Sequence, residues 1–246
     1  MQLHYSSARR GRAHDARLTS VEYTTICKKG VLFTRTDLLM MASVGISAQT
    51  LPVMEAFSTL QGEGFHTGKP AYFIRLGGCD VGCHWCDVKE SWQAEAHPQT
   101  EISELVHNAQ SQRSDMVVIT GGEPLMYNLD HLCQELQNQG LKTHLETSGC
   151  YALSGNWDWI CFSPKKFKEP LMEFYQVANE LKIVIYHPSD LSWAQKHADQ
   201  MHEKSEWYLQ PEWSRAEQVM PLIVDYIKDH PKWRMSLQTH KYLNIP

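Results

Sequence analysis

Leu76-Gly-Gly-Cys79-Asp-Val-Gly-Cys83-His-Trp-Cys86-Asp87 is the stretch on which the reading of this chain turns. It follows Ala71–Leu76 (AYFIRL), a short apolar run that predicts a strand. Cysteine thiolates are natural ligands for iron–sulfur clusters. Gly77, Gly78 and Gly82 allow the tight turns that would bring three sulfurs onto one cluster. A structural zinc site wants four ligands. His84 is the candidate fourth, but a residue between two cysteine ligands is expected to point away. Three cysteines around a cubane leave one iron without a protein ligand, open to a small molecule. The C-x3-C-x2-C spacing therefore predicts a [4Fe–4S] site at Cys79, Cys83 and Cys86 in a loop after a strand.

Outward from that loop the pattern is α/β. Met116–Thr120, Lys142–Glu146, Trp159–Phe162, Glu180–Ile185, Trp207–Gln210 and Trp233–Leu237 are short apolar or β-branched runs bounded by turn residues. Helical periodicity fills Ile102–Gln112, Leu129–Gln139, Leu191–Met201 and Ala216–Lys228. Ser214 and Glu217 have capping-box spacing, and Gly140 stands where a helix should stop. Alternating strands and helices predict a mainly parallel sheet, with ligands gathered at the carboxyl ends of its strands.

The 246 residues suit one large domain with a tail. A net charge of −5 argues against a broad electrostatic grip on nucleic acid. No apolar run approaches the roughly 20 residues of a membrane span. Seven cysteines, an odd number with three crowded together, speak against a secreted disulfide framework and for a reducing cytoplasm. Residues 1–50 look different. Arg9, Arg10, Arg12 and Arg17 stand against a single acid, Asp15, before residue 20. That fits a targeting peptide, or a disordered or non-native extension ahead of Met40-Met41, and the extension is the expectation taken forward.

The triad together with Thr120-Gly121-Gly122-Glu123-Pro124 resembles the radical S-adenosylmethionine (SAM) superfamily. In that superfamily the Gly-Gly-Glu-Pro stretch lies along the methionine part of SAM. Glycines admit backbone to a ligand, and a carboxylate suits an ammonium group. More of the chain, from about Met54 to Pro246, resembles the 7-carboxy-7-deazaguanine synthase family. The resemblance rests on Phe57-Ser-Thr-Leu60-Gln61-Gly62-Glu63-Gly64, Phe73–Leu76, Glu146-Thr-Ser-Gly149, Ser163-Pro164-Lys165, Gln210-Pro211 and Leu237–Pro246. It implies a modified partial TIM barrel with a shortened β/α repeat, and a homodimer. It also implies a radical SAM ring contraction of 6-carboxy-5,6,7,8-tetrahydropterin to 7-carboxy-7-deazaguanine with loss of ammonia, fed by a flavodoxin- or ferredoxin-type reductant.

The resemblance also implies residue roles. Leu60, Gln61, Gly62, Arg75, Thr120 and the α-carboxylate of Pro246 would hold the substrate, with Glu63 available to its amino edge. Leu243 and Ile245 would anchor that last stretch. Trp85, Asp87, Gly122, Ser163, Pro164, Lys165 and Gln210 would form the SAM pocket, with Glu146 and Ser148 as weaker members. Arg75 has a planar fork suited to the substrate carboxylate, although a structural ion pair is the competing use. Mg²⁺ is implied beside that carboxylate. Where the family commonly has Thr after Cys-Asp, this chain has Val88, which offers no oxygen to a hard cation, so the protein ligand is left open.

Cys133 and Cys161 read as small buried apolar groups, Cys150 is ambiguous, and most of the 13 histidines read as solvated, with His240 set apart by its place in the terminal motif. Two other readings compete: a glycyl-radical activase that shares the triad, and a zinc-stabilised RNA-binding module.

Overall fold

The computed structural model describes residues 25–26, 32–33 and 49–246. Strands β1 (Thr25–Ile26) and β2 (Leu32–Phe33) pair antiparallel. The expectation of an unstructured or non-native extension over residues 1–50 otherwise falls outside the described residues.

The rest is one open sheet with helices. Its strands are β3 (Thr50–Leu60), β4 (Pro70–Leu76), β5 (Gln99–Glu101), β6 (Met116–Gly121), β7 (Lys142–Thr147), β8 (Trp159–Phe162), β9 (Glu180–Ile185), β10 (Glu206–Pro211) and β11 (Trp233–Met235). The order across the sheet is β11-β10-β9-β8-β7-β6-β4-β3-β5. From β4 to β11 every pairing is parallel, whereas β3 runs antiparallel to both β4 and β5. This open sheet agrees with the partial barrel that the family resemblance implies.

The crossovers carry α1 (Ile102–Gln110), α2 (Asp130–Asn138), α3 (Phe174–Val177), α4 (Asp190–Ala198) and α5 (Ala216–Asp229), and α6 (Thr239–Leu243) follows β11. The repeat is shortened in the middle. Residues 148–158 join β7 to β8 without a helix, and α3 is a single turn.

Side-chain alternation along the strands decides what faces what. Ile74, Leu76, Val117, Ile119, Leu145, Leu181, Ile183 and Leu209 are all 0% exposed and pack on the helix side. Arg75, Thr120, Glu146, Lys182 and Gln210, at the alternate positions, face a cavity instead. Gly140 stops α2 as expected, with φ +77°.

Two local expectations need correction. β3, unforeseen in the sequence, runs eleven residues with Pro52 near its start. Proline deprives the ladder of a donor, and here pairing passes from β5 to β4 just beyond it. The Ser214/Glu217 capping box does not form. Ser214 lies in a 3₁₀ turn whose cap is Glu212, which accepts from the Ser214 backbone N–H at 3.1 Å and from its hydroxyl at 2.6 Å.

Candidate active site

A cavity of about 470 Å³ opens on the inner face of the sheet, a size suited to small-molecule ligands. The cysteine loop forms one wall. It leaves β4 at Gly77, and Gly78 N–H donates to Ser91 O while Cys79 N–H donates to Trp92 O. The loop after β6 is laced to it backbone to backbone: Gly122 N–H donates to Leu76 O (3.0 Å) and Glu123 N–H to Gly78 O (2.9 Å). A Cβ on Gly122 would stand 2.2 Å from Gly78 O and 2.6 Å from Cys79 Cβ. Glycine is thus required there by the approach of two loops, in addition to any ligand.

Glu123 also departs from its expected use. It is 1% exposed, and its carboxylate accepts from Thr147 Oγ1, the Ser148 N–H and hydroxyl, and the Leu125 N–H. Its lone pairs bind the β7 loop to the β6 loop, so it acts as an internal bracket.

Cys79, Cys83 and Cys86 all line the cavity and pack with Val81 and Cys150. Burial pushes the Cys83 thiol up to about 11 and raises that of Cys79. Metal coordination would reverse this by replacing the thiol proton. Asp80, inside the loop, accepts from Tyr151 Oη (2.7 Å) and Lys168 Nζ (2.8 Å), which pins the turn between the first two cysteines. His84 is turned outward against Phe167 and Tyr186, as its position between cysteines predicts, which leaves three thiols on the cavity wall with no imidazole beside them. This donor set fits a [4Fe–4S] cluster with one open iron.

Trp85, Asp87, Val88, Gly122, Ser163, Lys165 and Gln210 share the same cavity, whereas Pro164 is buried outside its lining. Lys165 Nζ donates to Ser163 O and Oγ at 2.5 and 2.6 Å. Burial opposes the charge on Asp87, but the Lys241 ammonium 2.8 Å away outweighs it and holds the carboxyl below its usual range.

The opposite wall comes from elsewhere in the chain. Because β3 is antiparallel, the Gln61–Gly64 turn reaches the cavity across the amino ends of the parallel strands. It is an exception to the carboxyl-end rule. Phe65 N–H donates to Glu180 Oε2, and the Phe65 ring stacks on Trp159, both residues being the first of their strands. Gln61 Nε2 donates to Glu146 Oε1 (2.9 Å), and Lys182 Nζ lies 2.6 Å from Glu63 Oε2 and 2.7 Å from Glu146 Oε2. Glu146 therefore belongs with this turn. Arg75 and Thr120 are register partners on the inner face, and Arg75 Nε pairs with Glu55 Oε1 at 2.6 Å. Leu60, Gln61, Gly62, Arg75, Thr120 and Pro246 line the cavity together.

The last residues close this wall through polar contacts. Thr239 N–H and Oγ1 donate to Gly62 O, Gln238 Nε2 to Glu63 Oε1, and Thr59 Oγ1 to Pro246 O at 2.9 Å. Leu243 is 58% exposed, so it does not anchor the segment.

The chain resembles proteins named 7-carboxy-7-deazaguanine synthase over nearly their whole length. That of Flavobacterium psychrophilum is 54% identical over 198 residues, 80% of this chain and 94% of that one. The Synechocystis sp. protein of the same name is 50% identical, covering 79% and 93%. The chain belongs to the 7-carboxy-7-deazaguanine synthase family. The Radical SAM superfamily pattern matches residues 73–158. A crystal structure of QueE from Escherichia coli superposes with a TM-score of 0.68 at 29% identity, covering 76% of this chain and 93% of that one. Among the described residues, no helix is long and apolar enough to cross a membrane.

For a 7-carboxy-7-deazaguanine synthase family member, the sequence reading missed several residues of the site. Lys182 and Glu180 are polar at alternate positions of ELKIVI, in a strand with parallel neighbours, where apolar residues are the rule. That violation was the available signal. Phe57, Phe73, Trp92 and Trp213 also line the cavity, with Phe57 stacked on Phe73 at 5.6 Å. Among the histidines, His240 does line it, but His144 and His197 are buried, not solvated, and burial lowers both to about 4. Cys133 and Cys161 are buried as expected.

Proposed function

We propose that this chain carries out the radical SAM ring contraction of 6-carboxy-5,6,7,8-tetrahydropterin to 7-carboxy-7-deazaguanine, with loss of ammonia, for queuosine biosynthesis. The observation that carries the reading is one cavity with two unlike walls. Cys79, Cys83 and Cys86 stand on one, and Gln61, Glu63, Arg75 and Pro246 on the other. A [4Fe–4S] cluster held by Cys79, Cys83 and Cys86, together with SAM, would supply the radical chemistry that removes hydrogen from pterin C6.

The chain's own groups do the rest. Cys79, Cys83 and Cys86 hold the cluster. Gly122, Ser163, Lys165 and Gln210, with Trp85 and Asp87, accommodate SAM, while buried Pro164 shapes their backbone. Arg75 exchanges Glu55 for the substrate carboxylate, which its fork can take in bidentate fashion. Leu60, Gln61, Gly62 and Thr120 border the pterin ring. Glu63, ionised beside Lys182, accepts from the amino edge, as does Pro246. The aromatic side chains keep the cavity poor in water.

Mg²⁺ belongs to this proposal with a reduced protein share, because Val88 lines the cavity and brings no oxygen. Removing Mg²⁺ should lower turnover without abolishing it, and Val88→Thr should sharpen the dependence. A collapse to zero without Mg²⁺, unaltered in Val88→Thr, would refute that share. The reading also includes a flavodoxin- or ferredoxin-type donor, a homodimer and a reducing cytoplasm.

Anaerobic turnover of the reconstituted protein with SAM, dithionite and the carboxypterin, followed by mass spectrometry, tests the function. The expected product is 7-carboxy-7-deazaguanine together with 5′-deoxyadenosine. SAM cleavage that ignores the pterin would sink the reading.

A further inference from the structure

Lys182 occupies the third position of β9, a strand with parallel neighbours on both sides. Its side chain is 4% exposed, and its ammonium touches two carboxylates from distant parts of the chain, Glu63 and Glu146. A buried cation is costly unless its partners are well placed, and here they are. The second oxygen of each carboxylate is also taken: Glu146 Oε1 by Gln61 Nε2, and Glu63 Oε1 by Gln238 Nε2. Gln61 Oε1 in turn accepts the Glu63 N–H at 3.0 Å. One ammonium thus ties together the turn after β3, strand β7 and the segment before α6. All of these residues line the cavity.

We propose that Lys182 is a positioning residue: it holds Glu63 and Glu146 side by side as charged acceptors on the cavity wall, and so fixes the Leu60–Gly64 turn in the shape that receives the substrate. The proposal rests on the pterin reading above. Burial alone would raise the Glu63 carboxyl, and Lys182 reverses the sign and brings it below its ordinary value. With the ammonium gone, two carboxylates would face each other across the space it filled, and one of them would take up a proton. A protonated carboxyl presents a donor where the substrate's amino edge needs an acceptor. The other charged or titratable groups around Lys182 are Glu180 on its own strand, Cys161 on β8, Lys165 beyond β8, and His240 on α6; Lys241 and Asp87 lie near Glu63 and His240. Glu180, lifted by burial to about 7, titrates in the wild-type protein too, so the diagnostic quantity is the ratio of variant to wild type.

The experiment measures binding of 6-carboxypterin, the oxidised analogue with the same carboxylate, by anaerobic calorimetry on reconstituted protein from about pH 6 to about pH 8.5. Wild type, Lys182→Met and Lys182→Arg are compared, with SAM affinity and melting temperature measured alongside. Lys182→Met should bind the pterin about tenfold more weakly near neutral pH, the equivalent of one pKa unit, with the gap closing as pH rises. Lys182→Arg should restore most of the affinity, and SAM binding should hold in both. A Lys182→Met protein with wild-type affinity and pH profile overturns the proposal, as does a pH-independent loss shared by SAM. If Lys182→Met fails to fold, Lys182→Gln, which keeps a donor without a charge, takes its place in the comparison. A wild-type protein that binds no pterin at any pH sinks the substrate reading itself, whatever the variants do.

Discussion

The two walls of the cavity are built on different principles. The cysteine wall rests on backbone: residues 76–78 and 122–123 meet through main-chain hydrogen bonds, and Gly121 and Gly122 lie where chain passes against chain, whereas Gly77 and Gly78 face side chains and Gly82 faces open space. The opposite wall is side chain: Gln61 and Glu63, Glu146, Lys182 and Gln238 come from four separate places and meet through ion pairs and hydrogen bonds to charged groups. A backbone wall resists any added atom but is indifferent to pH. A side-chain wall adjusts to an added atom and answers to protons.

The sharpest test of the contrast is the cluster itself. Cys83→Ala should abolish iron–sulfur absorbance and SAM cleavage, whereas Cys133→Ala, also buried, should cost only stability, about 1–2 kcal/mol. If both variants bleach alike, the thiol wall has been misplaced.

Glycine substitutions come next. Gly122→Ala drives a Cβ to 2.2 Å from a backbone oxygen, so it should cost about 1–3 kcal/mol and weaken SAM binding. Gly62→Ala also meets an atom at 2.2 Å, but that atom is His240 Nδ1, on a side chain that can swing away. It should raise the substrate KM and leave SAM affinity and melting temperature near normal. Equal loss of melting temperature in the two would erase the distinction between walls.

The effect furthest from the chemistry concerns pH. Glu180 is buried, its Oε1 has no hydrogen-bond partner, and desolvation lifts its carboxyl to about 7 despite Lys182 nearby. The folded protein therefore keeps a proton that the unfolded chain releases near 4.5. The stability due to that proton is complete below about 4.5 and is lost as pH rises through about 7. Glu180→Gln should remove this slope, gaining on wild type between those limits by at most about 3 kcal/mol, the free energy of a shift from 4.5 to about 7. Parallel curves of stability against pH for the two proteins would show that Glu180 is ionised in the fold.

Legibility follows the same division. The triad, the strand before it, the Thr120–Pro124 loop, and strands β8 and β9 to the residue could be read from the sequence. Each is a local pattern of turn residues, apolar alternation and ligand spacing, and local patterns are what a sequence displays directly. In the strand before the triad Tyr72 and Ile74 are buried core at alternate positions, and Arg75, between Ile74 and Leu76, faces the cavity.

Strand β3 was hidden because Pro52 and a register shift between Val53 and Glu55 interrupt its alternation. Once β3 runs antiparallel, the turn after it must reach the cavity from the amino ends of the strands, and no spacing in the sequence announces that. The role of Glu123 was likewise decided by tertiary contact, since only the fold brings Thr147 and Ser148 to its oxygens. Lys182 is the clearest case. Its sequence neighbours are apolar core, and its two carboxylate partners lie 119 and 36 residues away. Sequence determines which residues can ligate iron, because thiol chemistry and short spacing suffice for that. Which charges neutralise one another in a buried wall is decided only when the sheet curls, because Coulomb attraction depends on distance in space and burial sets how strongly it acts.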